Sequence, residues 1–332
     1  MEEKKSLNLF SRRHIGQTQD DINYMLKTVG FSSMDSFVEA VIPRDILEKE
    51  KVNIGKQRDE ESVLKELGEI ASKNKVFKSY IGQGHYNTIT PKVIQRNIFE
   101  NPGWYTSYTP YQPEISQGRL EALINFQTMV CDLTGMDIAN ASLLDESTAA
   151  AEAMALSKRS SKTKSNIFYV DENCFINTIN VLKTRALPLG IEIKIGAVEE
   201  ALSHDCFGVL VQYPGSDGRI TNFKETVAKS QKKDALITFA TDLLALTLLK
   251  TPAELNADIV IGSSQRFGVP LGCGGPHAAF MAVRDELRRS LPGRIVGASI
   301  DRSGNLAYRL ALQTREQHIR REKATSNICT AQ

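Results

Sequence analysis

The architecture of the chain follows from one stretch, Gly262-Ser-Ser-Gln-Arg-Phe-Gly-Val-Pro-Leu-Gly-Cys-Gly-Gly-Pro-His277. It comes directly after the apolar run Asp258-Ile-Val-Ile261, so the pattern predicts a strand that ends in a polar, glycine-rich loop. Open α/β sheets bind their ligands at such strand ends. A Schiff-base enzyme would need a lysine in this loop, but no lysine lies between Lys250 and Lys323. The sequence therefore predicts a ligand site without the lysine amine that a Schiff base requires.

Apolar runs alternate with helical patterns on both sides of this stretch. Strands are predicted at 167–170, 191–195, 208–213, 235–240, 259–261 and 278–283. Helices are predicted at 18–29, 34–41, 61–73, 116–133, 147–158, 175–185, 223–232 and 285–291. This alternation implies βαβ units, and hence an α/β fold with a mostly parallel sheet and helices on both faces.

The predicted elements divide the chain into four segments. Residues 1–76 form a helical N-terminal segment, and 77–137 form a loop-rich tract followed by a long helix that leads into the large domain. Residues 138–300 form that large α/β domain, and 301–332 begin a small C-terminal domain. The last residues, Thr325 to Gln332, contain neither Gly nor Pro to end an element, so we expect this small domain to be incomplete.

Composition and charge exclude several classes of protein. The net charge of +2 over 332 residues provides no general attraction to nucleic acid or to an anionic membrane. The five cysteines form no C-x-x-C pair and the histidines have no spaced partner, so neither a metal site nor a disulfide framework is expected. No apolar run reaches the roughly 18 residues of a membrane span. The start of the chain, Met-Glu-Glu-Lys-Lys, resembles neither a secretory signal nor an organelle presequence, which predicts a cytoplasmic protein or one given in its mature form.

Two features near strand ends have alternative interpretations. The turn and alanine-rich helix from Asn140 to Ala153 could hold a phosphate at the helix N-terminus, or could be an ordinary helix capped by Asp145 or Ser147. The capped helix is favoured, because Asp145 and Glu146 would repel a phosphate. Asp242 ends an apolar strand and could face a ligand or cap a helix over 243–249. Without a downstream lysine, the cap is again favoured.

Five motifs, taken together and in order, closely resemble those of the glycine cleavage system P-protein family, in its N-terminal half or in subunit 1 where the halves are separate chains. They are Arg13-His-Ile-Gly16, Tyr108-Thr-Pro-Tyr-Gln-Pro-Glu114 with Ser116-Gln-Gly-Arg-Leu-Glu121, Ala139-Asn-Ala-Ser-Leu-Leu-Asp-Glu146, Gly262-Ser-Ser-Gln-Arg-Phe-Gly268 and Gln313-Thr-Arg-Glu-Gln-His-Ile-Arg-Arg321. The resemblance implies the fold of fold-type I pyridoxal-phosphate-dependent transferases. It spans essentially the whole chain.

The resemblance also implies a division of labour. In this family only the C-terminal half, or subunit 2, carries the lysine that binds pyridoxal phosphate, and the corresponding position here is Gln265. The implied reaction is the decarboxylation of glycine and transfer of the aminomethyl group to the lipoyl H-protein. This chain would be an inactive partner on its own, with no catalytic residue. The implied location is the bacterial cytoplasm, or the mitochondrial matrix in a eukaryote.

By resemblance, this half would form the wall of an active site at its interface with the catalytic half and line the passage for the lipoyl arm. The residues predicted for that wall are Tyr108, Tyr111, Gln112, Glu114, Asn140, Ser142, Ser264, Gln265, Arg266 and His277.

Departures from the family pattern leave two rival hypotheses to weigh. Ser147 occupies a position that is usually glycine, and Cys273 one that is usually aromatic, so a degenerate, non-enzymatic paralogue that acts as a binding or regulatory module is the alternative. The other rival, a fold-type I enzyme that is active alone, needs the Schiff-base lysine that the loop lacks.

Overall fold

The computed structural model describes residues 14–48, 50, 52–56, 58–105, 110, 112–311 and 321. The chain divides into two compact units, Met1–Ser79 and Tyr80–Gln332. Within the described residues, no helix combines the length and the apolar character that crossing a membrane requires. The segment boundaries predicted within the second unit stay predictions.

Three helices form the described part of the first unit, and all three were predicted. They are α1 (Gln19–Thr28), α2 (Met34–Val41) and α3 (Glu60–Ala71). The Thr18 hydroxyl accepts from the backbone N–H of Asp21, whose carboxylate accepts from the Thr18 backbone in return, so a capping box begins α1. Ser33 and Ser36 form the equivalent box at the start of α2.

The second unit contains six α-helices among its described residues. They are α4 (Lys92–Ile94), α5 (Pro102–Tyr105), α6 (Gln117–Thr134), α7 (Glu146–Ser160), α8 (Ile176–Ala186) and α9 (Lys224–Gln231). A π-helical turn, Gln95–Phe99, continues α4. The long helix α6 ends at Gly135, which has a φ of +73°. A side chain there would also collide with Thr251 and Ala253, so glycine is needed for both reasons.

A seven-stranded sheet is the centre of the second unit. Its strands are β1 (Ile138–Ala139), β2 (Ile167–Asp171), β3 (Glu192–Gly196), β4 (Gly208–Tyr213), β5 (Leu236–Thr241), β6 (Ile259–Ser263) and β7 (Ala279–Val283). The strand order is β1-β7-β6-β5-β4-β2-β3. The strands β2 to β6 pair in parallel, and β7 pairs antiparallel with both β6 and β1. The prediction of a mostly parallel sheet is confirmed.

Helices cover both faces of this sheet because successive strand residues point to opposite sides. Phe168 of β2 packs in one apolar cluster with Leu156 of α7 and Leu182 of α8. The next residue, Tyr169, packs in a second cluster with residues of α6 and α9. The residues of both clusters are buried, so both faces of the sheet are covered by helices.

Apart from the short elements α4, α5 and β1, which were not predicted, two parts of the second unit differ from the prediction. The predicted helix over 285–291 is wrong: only a 3₁₀ turn, Asp285–Leu287, forms before Pro292. The segment is too short to repay the cost of helix nucleation, and Leu287 and Leu291 are buried without further helical turns. An unpredicted hairpin, β8 (Ile295–Ile300) with β9 (Leu306–Ala311), follows.

Candidate functional site

The loop after β6 is held in place by its own backbone and by the segment 86–91. The Ser263 hydroxyl accepts from the Gln265 N–H at 3.2 Å, and Gln265 begins a short 3₁₀ turn that ends at Gly268. Gly268 has a φ of +115°, and a Cβ on it would lie 3.0 Å from the Ile89 carbonyl oxygen. The Thr90 hydroxyl donates to the Gly268 carbonyl at 2.5 Å. The glycine-rich sequence thus allows close backbone contact.

Arg266 and Asp242 form a two-point ion pair at the ends of neighbouring strands. Arg266 Nε lies 3.2 Å from Asp242 Oδ1, and its Nη2 lies 2.6 Å from Oδ2. The guanidinium also lies over the Tyr86 ring, at 5.2 Å from the ring centre. Hydrogen bonding to Asp242 raises the pKa of Arg266. Asp242 also accepts from the Leu244 N–H at 3.0 Å, but the favoured prediction that it caps a helix over 243–249 is wrong, because only a 3₁₀ turn, Ala245–Thr247, forms there and no side chain caps it.

A cavity of about 380 Å³ lies beside this ion pair and is called the Gln265 cavity below. Its polar lining comes from the segment 80–88, from the ends of three adjacent parallel strands with the loops that follow them, and from the first turn of α7. The residues that matter here are Glu146, Gln212, Thr241, Asp242, Gln265 and Arg266. Parallel strands bring their carboxyl ends to one edge of the sheet, which is why residues so distant in sequence meet.

Glu146 is the unusual carboxyl group of this cavity. Its pKa is raised to about 7, mainly by burial. Contacts with the Gln212 side chain and the Ser263 backbone lower the pKa, and the nearby carboxylates of Asp242 and Asp145 raise it. Its Oε1 accepts no hydrogen bond from any described residue. Close to neutral pH, this carboxyl group therefore exists in both protonation states.

A second cavity, of about 510 Å³, adjoins the first and is called the His277 cavity. The His277 and His85 rings lie 5.9 Å apart, centre to centre, and His85 Nε2 is 3.3 Å from the Asn177 amide nitrogen. Burial lowers the pKa of His277, and His85 adds to this effect while Asp145 opposes it. His277 is thereby biased towards its neutral form.

The N-terminus of α7 borders both cavities and carries its own anion. The Asp145 carboxylate accepts from the Thr148 N–H at 2.6 Å, as the favoured cap hypothesis predicted. Ser147 lies inside the helix with its hydroxyl 3.1 Å from that of Thr178, so the serine fits here without strain. Cys273 borders the His277 cavity with a φ of +56°, a conformation that is costly for a residue with a side chain.

The structure brings three of the predicted wall residues to these cavities: Gln265, Arg266 and His277. Asn140 is buried elsewhere, where its amide bridges Met281 and Pro292, and neither it nor Ser142 is among the described lining residues. Ser264 is buried beside the loop. Gln112 and Glu114 are exposed on a different segment. Tyr108 and Tyr111 lie outside the described residues.

Sequence reasoning left Glu146, Gln212 and Thr241 out of the site. Each has a detectable signal, since Gln212 and Thr241 are polar residues at the ends of otherwise apolar strands and Glu146 directly follows a helix cap. Only the strand order shows that these three residues lie in the same cavity. Among the described residues, no cluster of potential metal ligands is present.

Comparisons with known proteins identify the family. A model of the family described as glycine cleavage system P-protein matches residues 12–332. The chain is 61% identical over 326 residues to a glycine dehydrogenase (decarboxylating) of Rhodopseudomonas palustris, covering 98% of this chain and 33% of that protein. For a protein of the same name from Rhizobium etli, the identity is 58% over 323 residues, covering 97% and 34%.

A solved structure is similar as well. It is the crystal structure of glycine decarboxylase (P-protein) of the glycine cleavage system in inhibitor-bound form, with a TM-score of 0.85 and 34% identity over 96% of this chain and 73% of that one. The chain spans about a third of the length of the curated relatives that it matches. On the match to almost all of its length, the chain belongs to the glycine cleavage system P-protein family.

Proposed function

We propose that this chain belongs to the N-terminal half of a glycine dehydrogenase (decarboxylating), the half that does not anchor the cofactor. With the catalytic C-terminal half or subunit 2, it would take part in decarboxylating glycine and passing the aminomethyl group to the lipoyl H-protein. Pyridoxal phosphate supplies the electron sink for that chemistry when bound, and its covalent anchor would be a lysine of the catalytic half. The observation that carries the proposal is Gln265, an amide directly after β6 at the position where, by the resemblance, the catalytic half would carry its lysine.

The residues around Gln265 do not fit a covalently bound pyridoxal phosphate. Among the described residues that line the two cavities there is no lysine. Both carboxylate oxygens of Asp242 are engaged by Arg266, so this carboxylate is already neutralised by a partner within the chain.

The helix that borders the cavities also argues against a phosphate. Asp145 satisfies the backbone N–H of Thr148, and Glu146 adds a second carboxyl group in the same turn. Free N–H groups and the positive end of the helix dipole are what attract a phosphate, and carboxylates at this position compete with it. These contacts support a cofactor site on the other half.

The role of this chain would then be to shape and close the active site. The wall residues predicted from the resemblance remain our proposal for that surface, with Gln265, Arg266 and His277 in the cavities and the tract around Gln112 and Glu114 on a separate segment. Exclusion of water from the site would protect reactive intermediates and strengthen electrostatic interactions. The cytoplasmic location also stays a prediction.

Exchange of the glycine carboxyl group with labelled carbon dioxide tests this proposal. The chain alone should show no exchange, the Lys-bearing half alone should show little, and their mixture with lipoyl H-protein should recover the activity. Exchange by the isolated chain, or a mixture no more active than the Lys-bearing half, would refute the proposed role. The alternative of a non-enzymatic paralogue predicts that mixing restores nothing.

A further inference from the structure

One face of the helix α3 carries large apolar side chains that remain exposed. Val63, Leu64, Leu67 and Ile70 recur at helical spacing and expose 39%, 68%, 61% and 53% of their surface, respectively. No residue of this helix is buried. These four side chains are called the Leu67 face below. A contiguous apolar surface of this kind on a helix is typical of an interaction site.

The first unit itself has almost no apolar core. Among its described residues, Leu26 is the only large hydrophobic side chain that is buried. A helix of 12 residues is marginally stable in water, so contacts along its apolar face are needed to stabilise it. The N-terminus of α3 is satisfied locally, because the Asp59 carboxylate accepts from the Ser62 N–H at 2.8 Å. The Leu67 face has no comparable local solution, and the helix therefore needs a partner surface.

The charges of α3 restrict what that partner can be. The helix carries four glutamates against a single lysine, Lys65. With about 3.6 residues per turn, Glu61 and Glu66 flank the Leu67 face on its two sides. Arg58 pairs with Glu66, but the surface stays acidic. Two copies packed through this face would bring like charges together, which is unfavourable. An apolar surface with lysine or arginine at its rim would instead complement both the side chains and the charge.

The length of the relatives indicates where such a surface would lie. The chain spans only about a third of the curated relatives, so most of a protein of that length lies outside these 332 residues. We propose that the Leu67 face docks onto an apolar surface with a basic rim in that remaining part of the protein. The proposal goes beyond the proposed function and does not require it, because docking can be measured in a protein that is inactive.

Photo-crosslinking in the complete natural protein that contains this chain tests the proposal. Leu67→p-benzoylphenylalanine places the crosslinker on the Leu67 face, and Lys65→p-benzoylphenylalanine is the matched control on the opposite face of the same helix. Mass spectrometry of the irradiated and digested protein identifies the joined segments. Position 67 should crosslink to a segment outside these 332 residues that combines apolar residues with lysine or arginine. Position 65 should give no such product.

Hydrogen exchange in the complete protein measures the same contact without a crosslinker. Burial against a partner surface should protect the backbone N–H groups of α3 from exchange. Leu67→Gln places an amide in that contact and should speed the exchange of α3 about tenfold or more, which corresponds to about 1.4 kcal/mol. Lys65→Gln should leave the exchange unchanged. Peptides from β4 and β5 report whether the rest of each variant is folded.

Three results would overturn the proposal. One is a crosslink from position 67 to residues 80–332 or to α3 of a second copy, which would assign the Leu67 face to a different partner. Another is an acidic segment as the crosslinked partner, or no crosslink at all. The third is the same exchange of α3 in Leu67→Gln and in the wild type. If the crosslinker at position 67 prevents folding, the exchange of Leu67→Gln decides.

Discussion

At the scale of single residues, the pair Gln265 and Arg266 supports the proposal that the cofactor is held outside this chain. Gln265 provides an amide where a Schiff base would need a lysine amine. The adjacent Arg266 donates a hydrogen bond to the Asp242 carboxylate at 2.6 Å. A lysine at position 265 would still leave Asp242 paired with Arg266, and a change at Arg266 would still leave no lysine amine. The two residues therefore act together, and a single reversal should not restore cofactor binding.

Restoring the lysine tests this view. In a Gln265→Lys variant, borohydride reduction with pyridoxal phosphate should leave the peptide around residue 265 unmodified, because Arg266 still engages Asp242 and Asp145 still caps α7. Mass spectrometry of the digested protein provides the measurement. The double variant Gln265→Lys with Arg266→Thr releases Asp242 and should carry more label. Full labelling of the single variant would contradict the account.

Glu146 provides a second prediction, based on the dependence of stability on pH. Its pKa rises from 4.5 to about 7 on folding, so folding takes up a proton in this range and the ionised group destabilises the protein at higher pH. Glu146→Gln should thus be more stable than the wild type at pH 8, by roughly 1–3 kcal/mol. The advantage should shrink as the pH falls from about 7 towards 4.5.

Urea unfolding at pH 8 and pH 5 measures this difference. Glu225→Gln serves as the control, because the pKa of Glu225 is lowered by its hydrogen bond to Lys229 and its replacement should bring no gain at pH 8. An equal effect of Glu146→Gln at both pH values would indicate that the carboxyl group is not perturbed.

At the scale of elements, the parallel strands were the part most readily predicted. Buried strands such as β4 are continuous apolar runs, and their ends are set by polar or glycine residues. The two-residue strand β1 carries no such signal, and the β8–β9 hairpin alternates buried and exposed positions weakly. Strand β1 depends on β7, a pairing partner that lies far away in sequence, and the hairpin strands lack a clear alternation, so local pattern could not reveal them.

Strand β6 yields a prediction of its own. Gly262 lies against β5, and a Cβ there would overlap the Thr241 carbonyl oxygen and press on the Phe280 ring. Gly262→Ala should therefore destabilise the protein by about 3 kcal/mol, the upper range for overpacking a core. Gly118→Ala in α6, where no atom lies within 4 Å of the new methyl group, should be neutral or slightly stabilising. Comparable unfolding midpoints for the two variants would contradict this reading of β6.

At the scale of the whole molecule, the sequence predicted the fold class, but it named only three of the residues that line the two cavities. Gln265, Arg266 and His277 lie on or near one loop and could be found from one motif. Glu146, Gln212 and Thr241 come from other elements, and only the strand order brings them to the same cavity. Asn140 was predicted from a family motif, but its buried side chain bonds the backbone of Met281 and Pro292 and does not line either cavity.

The whole-molecule claim is that this chain shapes a site whose covalent anchor belongs to another part of the protein. Borohydride reduction of the complete holoprotein, followed by peptide mapping, tests it most directly. The account predicts a pyridoxyl group on one lysine outside these 332 residues and none within them. A pyridoxyl group on any lysine of this chain would contradict the account.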